Sequence, residues 1–197
     1  FIGGGTRYAF QSIWASSFYI KVLRRTAFES STYLMWISVG CTAGAIALGR
    51  LCDYLGSIKT LILSSIVLTA TWCSMVFLTS NTPGWIVAVI SLILGVVGSG
   101  GFTVAFTCVR EISGGANTGF LTGINGCAAF LGSAVFTQFS GSVMSILKGI
   151  TIQASFQYLF SIFTLLCVLA TASVAILNKR RAVPQMASED TKGCSTL

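Results

Sequence analysis

Histidine is absent from this chain of 197 residues, and Lys, Arg, Asp and Glu together make up only 9% of it. Without histidine the chain has no histidine base, no histidine metal ligand and no histidine proton relay. A soluble domain carries roughly a quarter charged residues, and a water-facing surface cannot be built from so few. Most of the outer surface must therefore face lipid, and the composition predicts a membrane protein.

Acidic residues and paired cysteines are also scarce. None of the five acidic residues falls within a long apolar run, whereas proton-coupled carriers usually need a titratable group inside the membrane. The seven cysteines form no C-x-x-C pair and are odd in number, so we predict buried free thiols and no metal or other cofactor. The net charge of +7 comes from short clusters between apolar runs, a pattern typical of membrane flanks rather than of nucleic-acid binding.

Six apolar stretches are candidates for membrane-spanning helices, each of which needs about 20 residues. They cover residues 1–20, 31–51, 60–78, 85–109, 118–147 and 156–177. We therefore predict an all-α membrane protein with a six-helix bundle at residues 1–177 and a disordered tail at residues 178–197. Because residue 1 already lies inside an apolar stretch, we expect the chain to be a fragment of a longer protein.

The distribution of Lys and Arg predicts the orientation of the six spans. Both chain ends fall on the same side, and that side carries Arg50, Lys59, Arg110 and the cluster at residues 179–181. The opposite side carries fewer positive charges, although Lys21 and its neighbours form a cluster there. Positive residues accumulate in cytoplasmic loops, so we expect the C-terminus and the connection after the second span to be cytoplasmic.

Residues 49–59, which connect the second and third spans, form the most informative segment. They are few, they are polar, and they include Asp53 between two glycines, Gly49 and Gly56. This pattern predicts a tight hairpin at the membrane surface. The Asp53 carboxylate could accept hydrogen bonds from free N–H groups at the start of the third span. It could also pair with Arg50 in one conformation only and so bias a two-state equilibrium.

Arg7 is the only charged residue well inside a predicted span. At about 1.5 Å per residue it lies near mid-membrane when counted back from Lys21, and Gln11 and Trp14 share its helical face. Either these three side chains line a substrate pocket in which Arg7 meets an anionic or polar group, or Arg7 snorkels to the cytoplasmic face.

Asn125 and the glycines each allow two interpretations. The Asn125 amide, inside the fifth span, is either a link between helices or a fourth substrate contact. Glycines recur at the spacing of close helix packing: Gly40 and Gly44 in the second span, Gly95, Gly98 and Gly101 in the fourth, and Gly119, Gly123 and Gly126 in the fifth. The alternative is that these glycine-lined helices rock or bend during a transport cycle.

Residues 49–59 resemble the cytoplasmic loop signature of the major facilitator superfamily, G-x-L-x-D-r-x-G-r-k-x. The matching positions are Gly49, Leu51, Asp53, Gly56 and Lys59. Tyr54, Ser57 and Ile58 replace basic residues of the signature, which is more typical of the copy in the C-terminal half of the family. Residues 110–119 resemble the connection into the eleventh helix of the family.

The resemblance extends over essentially the whole chain and implies helices seven to twelve of a twelve-helix transporter, with the N-terminal half missing. It implies a small solute carried by alternating access through a midplane site, and Arg7 favours an anionic one. Asp53 would latch a cytoplasmic gate with Arg50, Arg110 or Glu111 as possible partners. Gly123, Asn125 and Gly141 resemble the glycine-rich eleventh helix of many bacterial members, and Gln11 and Trp14 resemble their seventh helix. We therefore expect the inner (cytoplasmic) membrane of a bacterium.

Two other classes of six-helix membrane protein were weighed against a transporter. A rhomboid-like intramembrane protease needs a serine–histidine pair, which this chain cannot supply, so we predict no enzymatic activity. An independent channel or scaffold that dimerises is the alternative, but it leaves the signature at residues 49–59 unexplained.

Overall fold

The computed structural model of the chain describes residues 2–113, 118–149 and 151–193. Across those ranges the backbone is helical apart from short connections, and it contains no strand. A bilayer core offers no hydrogen-bond partner to the backbone, and a helix satisfies its own N–H and C=O groups. The predicted all-α membrane fold is confirmed.

The first span is not a continuous α-helix. Helix α1 (Ile2–Ala9) leads into a π-helical turn (Phe10–Trp14), and helix α2 (Ala15–Lys21) completes the span. The remaining long helices are α3 (Ala27–Leu55), α4 (Ser57–Val76), α5 (Gly84–Ser113), α6 (Thr118–Ile146) and α7 (Ile152–Gly193). In the part of the chain that the structure describes, α3 to α7 are long and apolar enough to cross a membrane. All six predicted spans thus correspond to helical segments.

Helix α3 is longer at both ends than predicted. The helix begins at Ala27 rather than at residue 31 because Thr26 and Glu29 form a capping box. The Thr26 Oγ1 atom accepts from the Glu29 N–H at 3.2 Å, and the Glu29 carboxylate accepts from the Thr26 N–H at 2.9 Å. These bonds satisfy N–H groups that a helix start otherwise leaves unpaired.

The predicted hairpin at residues 49–59 is almost entirely helical. Helix α3 continues to Leu55 and α4 begins at Ser57, so Gly56 alone separates them. Gly56 has φ +84° and ψ 152°, a conformation that glycine adopts without the steric cost of a Cβ atom. Asp53 does not cap α4, since the N-cap position is Gly56 and no side chain makes a capping hydrogen bond there. The expected capping role of Asp53 is therefore wrong.

The last helix also extends past its predicted end. The backbone of α7 continues to Gly193 and includes most of the segment predicted to be a disordered tail. The division of the chain at residue 177 stays a prediction.

Glycines bring α3 and α5 into backbone contact along the most extensive helix pair of the bundle. A Cβ atom on Gly40 would collide with the Leu92 carbonyl oxygen, and one on Gly44 would collide with that of Val96. In lipid, helices associate largely through such close van der Waals contact. The close-packing interpretation is therefore confirmed for Gly40 and Gly44. It is wrong for Gly119 and Gly123 of α6, where a Cβ atom would have no atom within 4 Å.

Aromatic side chains fill the end of the bundle opposite Gly56. Phe10 meets Trp72 of α4 and Phe160 of α7, each with ring centroids 5.5 Å apart. Phe18 meets the same Phe160 ring at 5.0 Å. Such edge-to-face pairs add to the burial energy of the rings, so they fix α2 and the π turn against α4 and α7.

The contact between α3 and α5 predicts a steric cost for Gly95→Ala. The new Cβ would meet the Ile37 carbonyl oxygen, and overpacking of this kind costs about 1–3 kcal/mol. We expect a lower thermal midpoint of the purified protein. Gly123→Ala is the matched control, because a Cβ there has no atom within 4 Å. Equal midpoints for the two variants would contradict the packing assigned to Gly95.

Candidate functional site at the centre of the bundle

Arg7 lies at the centre of the bundle and is only 2% exposed. Its side chain contacts Cys41, the middle residue of α3, and packs against Gly98 near the middle of α5. Since α3 and α5 both span the bundle, these contacts put the guanidinium at mid-depth. Snorkelling to one membrane face, the second interpretation of Arg7, does not describe this side chain.

Two hydrogen bonds hold one end of the Arg7 guanidinium. Nη1 donates to Gln11 Oε1 at 2.7 Å and to Cys41 Sγ at 3.3 Å. The carbon Cζ also lies 4.0 Å from the centre of the Tyr8 ring, within reach of a cation–π interaction. The predicted pairing of Arg7 with Gln11 on one helical face is present in the structure.

The other edge of the guanidinium has no hydrogen-bond partner among the residues that the structure describes. The buried Arg7 Nε atom makes no hydrogen bond to any residue that the structure describes. The described side chains contain one ion pair, Arg25 with Glu29, and it does not involve Arg7. A buried charge without a counter-ion is costly, so the protein stabilises the Arg7 guanidinium only in part.

Gly98 is necessary for this arrangement. A Cβ atom at residue 98 would occupy the space of the Arg7 Cδ atom. The absence of a side chain on α5 therefore leaves room for the aliphatic part of Arg7, while Cys41 of α3 and Gln11 hold its head.

Trp14 faces a different neighbour. The Trp14 Nε1–H group donates to Ser140 Oγ of α6 at 2.7 Å, and the indole ring packs against Phe156 at 5.9 Å between centroids. A π turn contains more residues per turn than an α-helix, so Trp14 leaves the face that Arg7 and Gln11 share. The predicted three-residue face is thus interrupted, and a substrate contact by Trp14 stays a prediction.

Asn125 lines a cavity of about 400 Å³ on the Gly56 side of Arg7. Its walls come from α1, α4, α5, α6 and α7 and include Gly98, but not Arg7, Gln11 or Trp14. The structure therefore brings Arg7 and Gln11 together and places Asn125 apart from them. A substrate contact by Asn125 stays a prediction.

The residues of the loop signature lie at the outer end of α3 and the start of α4. Asp53 is exposed beside the exposed residues Arg50 and Tyr54, and Lys59 is exposed on the first turn of α4. Cys52 Sγ and Ser57 Oγ lie 3.0 Å apart across Gly56, and Thr60 Oγ1 donates to the Gly56 carbonyl at 3.0 Å. These bonds brace the turn, while the Asp53 side chain remains at the surface.

The possible gate partners are exposed as well. Arg110 and Glu111 lie on the last turn of α5, and Asp53 forms no ion pair with them or with Arg50 among the described side chains. Residues 114–117, in the connection that resembles the entry to an eleventh helix, lie outside the described residues. The gate role of this group stays a prediction.

Two residues of the central site escaped the sequence reasoning. The sequence predicts a buried free thiol at Cys41 and a packing role for Gly98, yet both contact Arg7. Cys41 is partly buried, and the prediction of burial is wrong for Cys73 and Cys127, which are exposed. Their position midway along their helices was a usable signal, because residues at equal depth on adjacent helices can meet.

The chain was compared with known proteins. No curated protein sequence matches it significantly. The family model described as Major Facilitator Superfamily matches residues 1–193. Members of this family bind small-molecule substrates within a lipid membrane and are generally not enzymes. Because the match spans nearly all of the sequence, the chain belongs to the major facilitator superfamily of multi-pass secondary transporters.

Proposed function

We propose that the chain forms the C-terminal six-helix half of a carrier that moves a small anionic solute by alternating access. The observation that supports this proposal is the guanidinium of Arg7, which is buried at mid-depth with an unpaired Nε and no acidic neighbour among the described side chains. A midplane site between two halves is the arrangement that such carriers use.

The geometry of the guanidinium favours a carboxylate or phosphate group as the ligand. Both hydrogen bonds to protein leave from Nη1, so the edge formed by Nε and Nη2 remains for the substrate. Two parallel N–H bonds along one edge match the two oxygens of a carboxylate or phosphate. Gln11 and Cys41 act as positioning residues, because they hold Nη1 while the free edge binds.

Asp53 acts at the cytoplasmic end in this proposal. Its exposed carboxylate at the end of α3 is available to a basic group of the N-terminal half, or to Arg110, in one of the two access states. A surface ion pair contributes little on its own, but a pair made in a single state shifts the balance between states. The excess of Lys and Arg at this end supports a cytoplasmic location for it and for the C-terminus. The resemblance to bacterial members favours the bacterial inner membrane.

Arg7→Gln tests the anion site in the full-length protein reconstituted into vesicles. Loss of the charged hydrogen bonds, each worth about 1.5–3 kcal/mol, should raise the KM for a transported carboxylate or phosphate ester at least about tenfold. The KM is measured from the uptake of radiolabelled solutes, namely carboxylates, phosphate esters, neutral sugars and quaternary amines. Arg24→Gln, the same change at an exposed residue, is the control. The proposal would be refuted if the protein transported only the quaternary amines and if Arg7→Gln left that transport unchanged.

Gly98→Ala tests whether the placement of Arg7 matters as well as its charge. The added Cβ displaces the Arg7 Cδ atom, and overpacking of this kind costs about 1–3 kcal/mol. We therefore expect the KM for the anion to rise several-fold. Gly141→Ala, where a Cβ has no atom within 4 Å, should leave the KM unchanged. A KM equal to that of the wild type in Gly98→Ala would show that Gly98 does not contribute to the anion site.

Asp53→Asn tests the gate. We expect the uptake rate to fall about fivefold or more, because one of the two access states loses a charged contact, while membrane insertion and substrate binding stay near normal. Initial uptake rates and the amount of protein in the membrane measure the two effects. Lys21→Gln, which removes a charge at the opposite end, is the control. Unchanged uptake kinetics in Asp53→Asn would exclude the gate role.

A further inference from the structure

The cavity beside Asn125 is a second ligand site, distinct from the anion site at Arg7. We propose that it binds a neutral, mainly apolar molecule with one hydrogen-bond acceptor, such as a medium-chain alcohol or ester. The volume of about 400 Å³ falls within the range of small-molecule pockets.

The unpaired amide of Asn125 points to a ligand in this cavity. The Asn125 Nδ2 atom is buried and has no hydrogen-bond partner among the described residues. Buried amide donors are rarely left unsatisfied, because the loss of a hydrogen bond to water is then uncompensated. An acceptor atom of a bound molecule would satisfy this donor.

The walls define the rest of the ligand. None of the described lining residues is charged, so an ion in the cavity would lose its hydration without a counter-charge. Phe102, Leu68 and Ala129 supply apolar surface, and Ser64 Oγ already donates to the Leu61 carbonyl at 2.9 Å. The wall also includes Ser65 and Ser173, and the Ser173 hydroxyl already donates to the Leu169 carbonyl at 2.8 Å. An apolar body with a single acceptor fits better.

The cavity and the anion site are adjacent but separate. Gly98 is part of the cavity wall and also backs the Arg7 side chain, whereas Arg7 itself does not line the cavity. The two sites also suit different ligands, because one contains the unpaired charge of Arg7 and the lining of the other is uncharged. The cavity ligand therefore binds whether or not the anion site is occupied, and its binding can be measured without any transport assay.

Photolabelling with 3-azioctanol tests the site in the full-length protein in lipid nanodiscs. This alcohol carries a hydroxyl that can accept from Asn125 Nδ2 and a diazirine on an eight-carbon chain. We expect adducts on the cavity residues of α5 and α6, including Phe102 and Asn125, which excess 1-octanol removes by competition. Adducts confined to exposed side chains outside the cavity, such as Phe130 and Leu131, which are 69% and 62% exposed, would overturn the proposal.

Three variants make the assignment specific. Asn125→Leu removes the donor with little change of shape and should lower the apparent affinity about fivefold, as expected for one lost hydrogen bond. Gly101→Leu fills the cavity and should abolish the competable adducts, since a Cβ at residue 101 meets only Ser64 at ordinary contact distance. Gly123→Leu, at an exposed position with no atom within 4 Å of its Cβ, should label as wild type.

The outcomes separate this inference from the proposed anion transport. Arg7→Gln should leave the cavity adducts unchanged, and loss of those adducts in Arg7→Gln would contradict the independence of the two sites. If Gly101→Leu does not fold, the apparent affinity of Asn125→Leu tests the proposal instead. An affinity equal to that of the wild type in this variant would show that Asn125 does not bind the ligand.

Discussion

The close approach of α3 and α5 is the constraint on which the central site depends. Lipid tails are as apolar as leucine, so helices in a membrane gain little from hiding apolar side chains and depend on direct packing. Gly40 and Gly44 of α3 and Gly95 of α5 leave no room for side chains between the two backbones. That contact brings Cys41 and Gly98 to the same depth, where both meet Arg7. Bulkier residues along this contact would separate the helices and leave the guanidinium without its surroundings.

Arg7 is stabilised by the protein only in part. Gln11, Cys41 and the Tyr8 ring surround one end of the guanidinium, yet Nε remains unpaired in the described structure. An acidic neighbour would neutralise the guanidinium and stabilise the fold. Natural proteins break such local rules mostly at functional or strained sites, which is why the proposed anion site is placed at Arg7.

The two ends of the bundle are packed differently. At the end away from Gly56, the rings of Phe10, Phe18, Trp72 and Phe160 interlock across the first span, α4 and α7. Towards Gly56, α1 is rich in glycine and borders the cavity that contains Asn125. The π turn marks the change between these two parts of the first span. The first span thus packs against aromatic rings at one end and borders a cavity at the other.

The sequence by itself determined the features that depend on local chemistry. Apolar length predicted six helical spans, Gly56 predicted a tight connection between α3 and α4, and counting residues placed Arg7 at mid-depth, because each follows from composition or from the rise of a helix. Even so, it missed the capping box that starts α3 and the helical continuation to Leu55, which depend on side-chain hydrogen bonds and on the geometry of a single glycine. Only the tertiary structure decided that Cys41 and Gly98 frame Arg7, that Trp14 turns to Ser140, and that Asn125 faces a separate cavity. These contacts join residues far apart in the chain, and their geometry is set by how closely whole helices pack, which no local pattern records.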